Sequence, residues 1–351
     1  TAFSDDDAYT IFETMNDRGL SLTPTDMLKG YLLANIADEQ RRLAANTIWK
    51  DRVRELTRLG KEEDADCIKA WLRSRYAESI RERKRGAVPQ DFDRIGTEFH
   101  RWVREFRERV GLNGSVDFAR FIETDFAFYA RLYRRIREAS ETLDASIPAI
   151  FYNAQHNFTL QYPLLLAPVG AADSEVEVTR KLRIVSDFVD ILIARRIWNF
   201  RSIDYSTMQY AMFLVMRDIR GLGVDDLATV LSERLAQMED DAPAFGETFY
   251  LHGTNGKQIH RLLARMTDFV ETSSGQASRY IEYSMRGRGG YEVEHIWADH
   301  YERHLDEFGD PSEFENYRNR IGGLLLLPKS FNASYGDLPY SEKRQHYLTQ
   351  N

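Results

Sequence analysis

Apolar residues recur at helical spacing along most of the chain. Ile11, Phe12 and Met15 form one stripe and Met27, Leu28, Tyr31 and Leu32 a second, with NDRGLSLTPTD at 16–26 between them. Gly19 suits a helix stop. Thr23-Pro24 suits a helix start, with proline at the first position and Asp26 in the first turn. The pattern predicts a helix–turn–helix corner. From 39 to 280 it predicts long helices: Phe118, Phe121, Ile122, Phe126, Tyr129, Leu132, Tyr133 and Ile136 keep i, i+3, i+4 spacing, as do Leu182, Val185, Phe188, Val189 and Leu192. Loops fall at LGKEEDAD (59–66), RERKRGAVPQD (81–91) and GLNGS (111–115). Such aromatic stripes read as core. The sequence contains no internal repeat and no low-complexity tract.

Beyond RGRGG at 286–290 the period changes. YEVEHIW alternates as a strand does, and LLLLP at 324–328 is a short apolar strand ended by proline. KSFNASYG is compatible with a short helix, and LPYSEKRQHYL with a second helix that has Pro339 near its first turn. The predicted order is strand, long loop, strand, short helix, helix.

Composition bounds the function. With 351 residues the chain has room for about two domains, and an apolar fraction of 43%, with 20 Phe and 18 Tyr, fills real cores. A single cysteine, Cys67, excludes an internal disulfide framework and a thiolate zinc cluster, and it fits a reducing cytosol. No apolar run approaches the roughly 18 residues a bilayer requires, so no membrane partner is expected, and the acidic TAFSDDDAY start is not a signal peptide. A net charge of −8 argues against a simple cationic glove for nucleic acid and leaves local basic patches open. The chain opens on Thr1, its first amphipathic segment starts almost at once, and it reads as a piece of a longer protein.

Glu294 and His295 set an acid directly beside a base. A carboxylate and a histidine on the first strand, with an amide on a helix packed across the second, can hold one hard divalent ion, Mg²⁺ or Mn²⁺. Glu294 supplies an anionic oxygen, Asn332 a neutral one, and water with phosphate oxygens completes the shell. His295 stays off the metal as the general base that takes a proton from attacking water. Neighbours on a regular strand point to opposite faces, so this arrangement calls for a twist or bulge, which Gly289-Gly290 would ease. Taken alone, His295 reads as a structural histidine and Asn332 as a turn residue. His300 and His304 make H-x4-H-x3-H with His295, a zinc-like spacing that requires a fourth ligand and leaves Asn332 unexplained.

EVEHIWADH, followed by RIGGLLLLPKSFNASYGDLPYSEKR at 320–344, resembles the His-Asn-Asn form of the HNH (ββα-metal) nucleases. The resemblance is to the nuclease domain of the GmrSD-type modification-dependent restriction endonucleases, including the phosphorothioate-sensing relative SspE. Glu294-His295-Ile296 match the acid-His-Ile element, Asn332 the last asparagine, and Pro339-Tyr340 with Lys343 the tail. Gly323 stands where the family has an asparagine that braces the loop holding the histidine; Asn319 and Asn316 are the nearby amides. IFETMNDRGLSLTPTDMLKGYLL at 11–33 resembles the segment closing the family's ParB-like N-terminal domain, whose Asp-Gly-Gln-Gln-Arg motif is not in this sequence.

The resulting expectation is a mainly α chain: the end of a ParB-like domain (1–38), a helical domain (39–285) and a small ββα-metal, HNH-type nuclease module (286–351). The function it implies is metal-dependent DNA cleavage in cytoplasmic bacterial antiphage defence, with His295 and Asn332 catalytic and Glu294 and Asn332 on the metal. DNA, modified or of phage origin, is the expected partner, and a homo-oligomer is open. Nucleotide enters only through the N-terminal part, with Asn16 and Arg18 the candidate proximal residues, though a capped turn explains them too. Arg81, Arg83, Lys84 and Arg85, with Arg195 and Arg196 beside Trp198, are candidate phosphate contacts; solvated faces and carboxylate pairing are the plainer readings. The rival functions are a DNA-binding or assembly module with a decayed site, separated by a nicking assay, and an RNA-directed nuclease, separated by substrate choice.

Overall fold

The computed structural model describes residues 22–237 and 249–349. Asn16 and Arg18, and the stripe of Ile11, Phe12 and Met15, lie outside the described residues. The chain is mainly helical, with a single two-stranded sheet among the described residues. No described helix is long and apolar enough to cross a membrane. The described residues fall into two compact units, 22–194 with 202–237 and 195–201 with 249–349.

Every regular element of the first unit is helical. Its opening helix, Pro24–Ala34, starts as the sequence suggests: Thr23 is the N-cap, its hydroxyl accepts from Asp26 N at 3.1 Å, and Asp26 returns the contact as a capping box. The core is aromatic. Trp49 stacks on Phe126 at 4.2 Å, and Trp71 lies 4.8 Å from Phe121 and 5.5 Å from Tyr129. All eight residues of the Phe118–Ile136 stripe are buried, but Phe121–Phe126 winds as a π-helix inside it. The wider turn keeps Phe121, Ile122 and Phe126 together on the core side.

The second unit carries the sheet. Strand β1, Tyr291–His295, pairs antiparallel with β2, Leu324–Pro328, in a one-to-one register from Tyr291↔Pro328 to His295↔Leu324. The ladder has no bulge. The glycines before it are required by geometry: Gly289 has φ 77°, and a Cβ on Gly290 would lie 2.6 Å from the Met285 carbonyl oxygen. The Gly256–Ser273 helix is tied to β1 where His260 Nε2 meets the Tyr291 carbonyl at 3.0 Å. Between the strands runs a long connection containing the Pro311–Arg318 helix, which Asp310 caps by accepting from Ser312 N and Glu313 N. Trp297 anchors this connection, stacked 4.5 Å from the His304 ring and 5.4 Å from Tyr317. After β2 come the short Lys329–Tyr335 helix and the Tyr340–Thr349 helix.

Candidate active site

Strand alternation sends neighbouring side chains to opposite faces, and Glu294 and His295 obey it. Their environments differ completely.

His295 closes β1, and its Nε2 lies 2.8 Å from Asn319 Oδ1. Asn319 is itself fixed at both backbone groups: its N–H donates to Glu315 O at 3.0 Å, and its carbonyl accepts from Leu251 N at 2.8 Å. With Nε2–H donating to that amide oxygen, the Nδ1 lone pair is left to accept a proton. Burial pushes the imidazole below its ordinary value, opposed by the hydrogen bond it donates to Asn319 and helped by the Arg318 and Lys343 charges. A neutral imidazole held in one orientation is what a general base requires.

Glu294 is turned to the other side, where it is 5% exposed. Its Oε1 takes the ammonium of Lys343, a side chain only 1% exposed, and a 3.4 Å hydrogen bond from the Tyr347 hydroxyl. Lys343 also donates to the His295 carbonyl at 3.0 Å. The Tyr340–Thr349 helix thereby clamps the end of β1 from beneath, with Lys343 and Tyr347 one turn apart on one face. Burial, then the Glu294 charge, pushes the Tyr347 hydroxyl above its ordinary range.

Asn332 lies on the Lys329–Tyr335 helix and meets Glu292, not Glu294: its Nδ2 is 3.4 Å from Glu292 Oε2. Glu292 is further paired with Lys329 at 2.7 Å, which holds its carboxyl below the ordinary value. A hard cation needs unclaimed oxygens converging on one point. Glu294 is committed to a buried ammonium and Asn332 belongs to a different cluster, so a cation held jointly by these two does not fit this arrangement. Among the described residues, no group of three or more His, Cys, Asp or Glu converges as a metal site. His300 pairs with Glu302 at 2.7 Å and His304 stacks on Trp297, so neither is directed with His295 at a common centre. Burial pushes the Cys67 thiol well above its ordinary value, consistent with a core residue.

Gly323 is explained by its surroundings. A Cβ there would lie 2.7 Å from the Arg318 carbonyl oxygen, so the close turn leading into β2 admits only glycine without a backbone shift. The amide at the imidazole comes from Asn319.

Of the basic candidates, Arg81, Arg83, Lys84 and Arg85 lie on an exposed loop, as their sequence suggests. Arg83 donates to the Thr207 carbonyl and Lys84 pairs with Glu82. Arg195 and Arg196 occupy the half-buried last turn of the Glu175–Trp198 helix.

Residues 243–351 match the family model described as GmrSD restriction endonucleases, C-terminal domain. The C-terminal region is a GmrSD C-terminal domain. It contains β1, β2 and every residue of the His295 site, whereas the first unit lies outside the match. For this region the match supports a nuclease of the restriction-endonuclease kind, with DNA as its substrate. No curated protein and no solved structure matches the chain. Sequence reasoning had no reason to pick out Lys329, Tyr347 or the clamp made by Lys343. Lysines and tyrosines on polar helices look alike until one is seen to be buried; the match of Lys343 to the family tail was the only signal.

Proposed function

We propose that the GmrSD C-terminal domain of this chain hydrolyses phosphodiester bonds of DNA as an HNH-type endonuclease, with His295 as the general base. The observation that carries this reading is the His295–Asn319 pair: a depressed, oriented imidazole at the end of a strand. The antiparallel β1–β2 pair followed at once by the Lys329–Tyr335 helix supports a ββα module. In this reading His295 Nδ1 takes the proton of the attacking water, and Asn319 keeps the ring from turning away. Lys343 fixes the strand end that carries the histidine. Asn332 stands next to Glu292 rather than His295, and its catalytic and metal part is carried over from the resemblance. The resemblance implies a divalent cation, Mg²⁺ or Mn²⁺, which when bound would stabilise negative charge on the phosphate. Modified or phage DNA as substrate, and a role in bacterial antiphage defence in the cytoplasm, extend the same reading.

The buried Glu294–Lys343 pair favours a second reading, a module that binds DNA without cutting it, because it withdraws the expected metal carboxylate. Nicking of supercoiled plasmid with Mg²⁺, Mn²⁺ or a chelator separates the two. The first reading expects metal-dependent nicking that falls by roughly 10²–10⁴-fold in His295→Ala, the usual loss on removing a general base. Absence of nicking under every metal condition, with DNA binding retained, establishes the second.

A further inference from the structure

Beside the His295 site the second unit contains a largely apolar pocket of about 590 Å³, within the usual range for small-molecule sites. Its walls come from the residues that flank the catalytic pair. Ile296 and Trp297 follow His295, and Arg318 and Arg320 stand on either side of Asn319. Gly322 and Gly323 form another wall, joined to the first where Ile296 N donates to Gly323 O at 2.9 Å. Whatever fills this pocket therefore sits within a residue or two of the general base.

Two features describe the occupant. The walls present the aromatic rings of Trp198, Trp297 and Tyr317. Trp198 adds its ring to the wall and is itself stacked 4.6 Å from Phe249. Arg320 is half-buried, makes no ion pair among the described residues, and lies with its guanidinium 5.0 Å from the centre of the Tyr317 ring. A cation left unpaired in such a setting suits an anionic oxygen from outside. Aromatic walls and an unpaired guanidinium together match a nucleotide: a flat heterocycle attached to a phosphate.

We infer that this pocket receives one unstacked base of the DNA strand next to the bond being cut, with Arg320 on the adjoining phosphate. The inference rests on the proposed nuclease reading, and it makes the pocket the element that sets the substrate strand on His295. Gly322 provides the opening. A Cβ added there meets nothing within 4 Å, and its φ lies outside the left-handed region, so the free protein tolerates a larger side chain that takes space from the base.

The test uses the full chain and two readouts. Oligonucleotides carrying a single 2-aminopurine report base capture by fluorescence quenching in the absence of metal, and plasmid nicking reports turnover. Gly322→Leu and Arg320→Gln are each expected to weaken oligonucleotide binding about tenfold or more, to abolish the 2-aminopurine quench, and to raise KM for nicking. His295→Ala is expected to retain the quench and lose kcat. If the parent nicks DNA and both pocket variants nick with parental KM and retain the quench, the pocket assignment is overturned and the nuclease reading stands. If the parent never nicks but quenches, and Gly322→Leu abolishes the quench, the base pocket stands and the nuclease reading falls. A parent that neither quenches nor nicks overturns both.

Discussion

His295 Nε2 and Asn319 Oδ1 lie 2.8 Å apart, joining the end of β1 to the residue that ends the Pro311–Arg318 helix 24 positions later. Because Asn319 is held through both its N–H and its carbonyl, the amide is a rigid mount for the imidazole. Asn319→Ala removes the mount and leaves the base. The expected result is a fall in kcat of tenfold or more, with KM for DNA little changed, since a misdirected ring costs rate while leaving substrate contacts intact. Parallel nicking assays of Asn319→Ala and Asn316→Ala check it. Equal activity of Asn319→Ala and parent would show that the ring is held by other means.

The acid limb of the pH–rate profile should reveal the environment of His295. Its folded value is depressed below 6.5, mainly by burial. The base is active when deprotonated, so kcat/KM should be flat around neutrality and fall with a midpoint below 6.5. The stability consequence has the same sign: the unfolded chain takes the proton first, so this contribution is fully present above 6.5 and is lost as pH falls through the lowered folded value. Asn319→Asp sets a carboxylate against the ring and should move the limb upward. A parental midpoint at or above neutrality would contradict the environment described for His295.

Gly323→Asn is expected to damage the protein. Family resemblance alone suggests that an asparagine here would restore a brace, but the Cβ would meet the Arg318 carbonyl oxygen at 2.7 Å, an atom that cannot move without its peptide. The connection entering β2 must shift, at a cost of roughly 1–3 kcal/mol, as for other overpacked sites. Thermal denaturation and nicking of the variant test this, and a stable variant with raised turnover would reinstate the brace at that position.

Much of this was legible in the sequence, and the rest was hidden for identifiable reasons. Helical periodicity located the first unit because its stripes are buried, and Thr23-Pro24-x-Asp26 marked a helix start because capping is local chemistry. The alternation in YEVEH and the apolar LLLLP marked the two strands at positions 291–295 and 324–328. The π-turn at Phe121–Phe126 was invisible, since it preserves the composition of an α-helical stripe. The partners of Glu294, Asn332 and His295 were likewise invisible. Asn332 lies near Glu292 and Asn319 near His295 only because of how the connection and the last helices pack, which residue spacing does not encode.

The Glu294–Lys343 pair separates two roles for Glu294, a metal ligand and an internal anchor. Both side chains are nearly inaccessible, and Lys343 also holds the His295 carbonyl. Removing one member leaves the other charged and uncompensated in the interior, which typically costs about 3–5 kcal/mol. Lys343→Met and Glu294→Gln should therefore each lower stability by about that amount. The double variant, with neither charge left to bury, should be less destabilised than the sum of the two. Denaturant titration of the four proteins gives the coupling directly. If Glu294 instead served chiefly as a metal ligand, Glu294→Gln would shift the Mg²⁺ or Mn²⁺ concentration for half-maximal nicking and leave stability close to that of the parent. A large coupling with unchanged metal dependence confirms the anchor; additive stabilities with a shifted metal titration overturn it and return Glu294 to the metal.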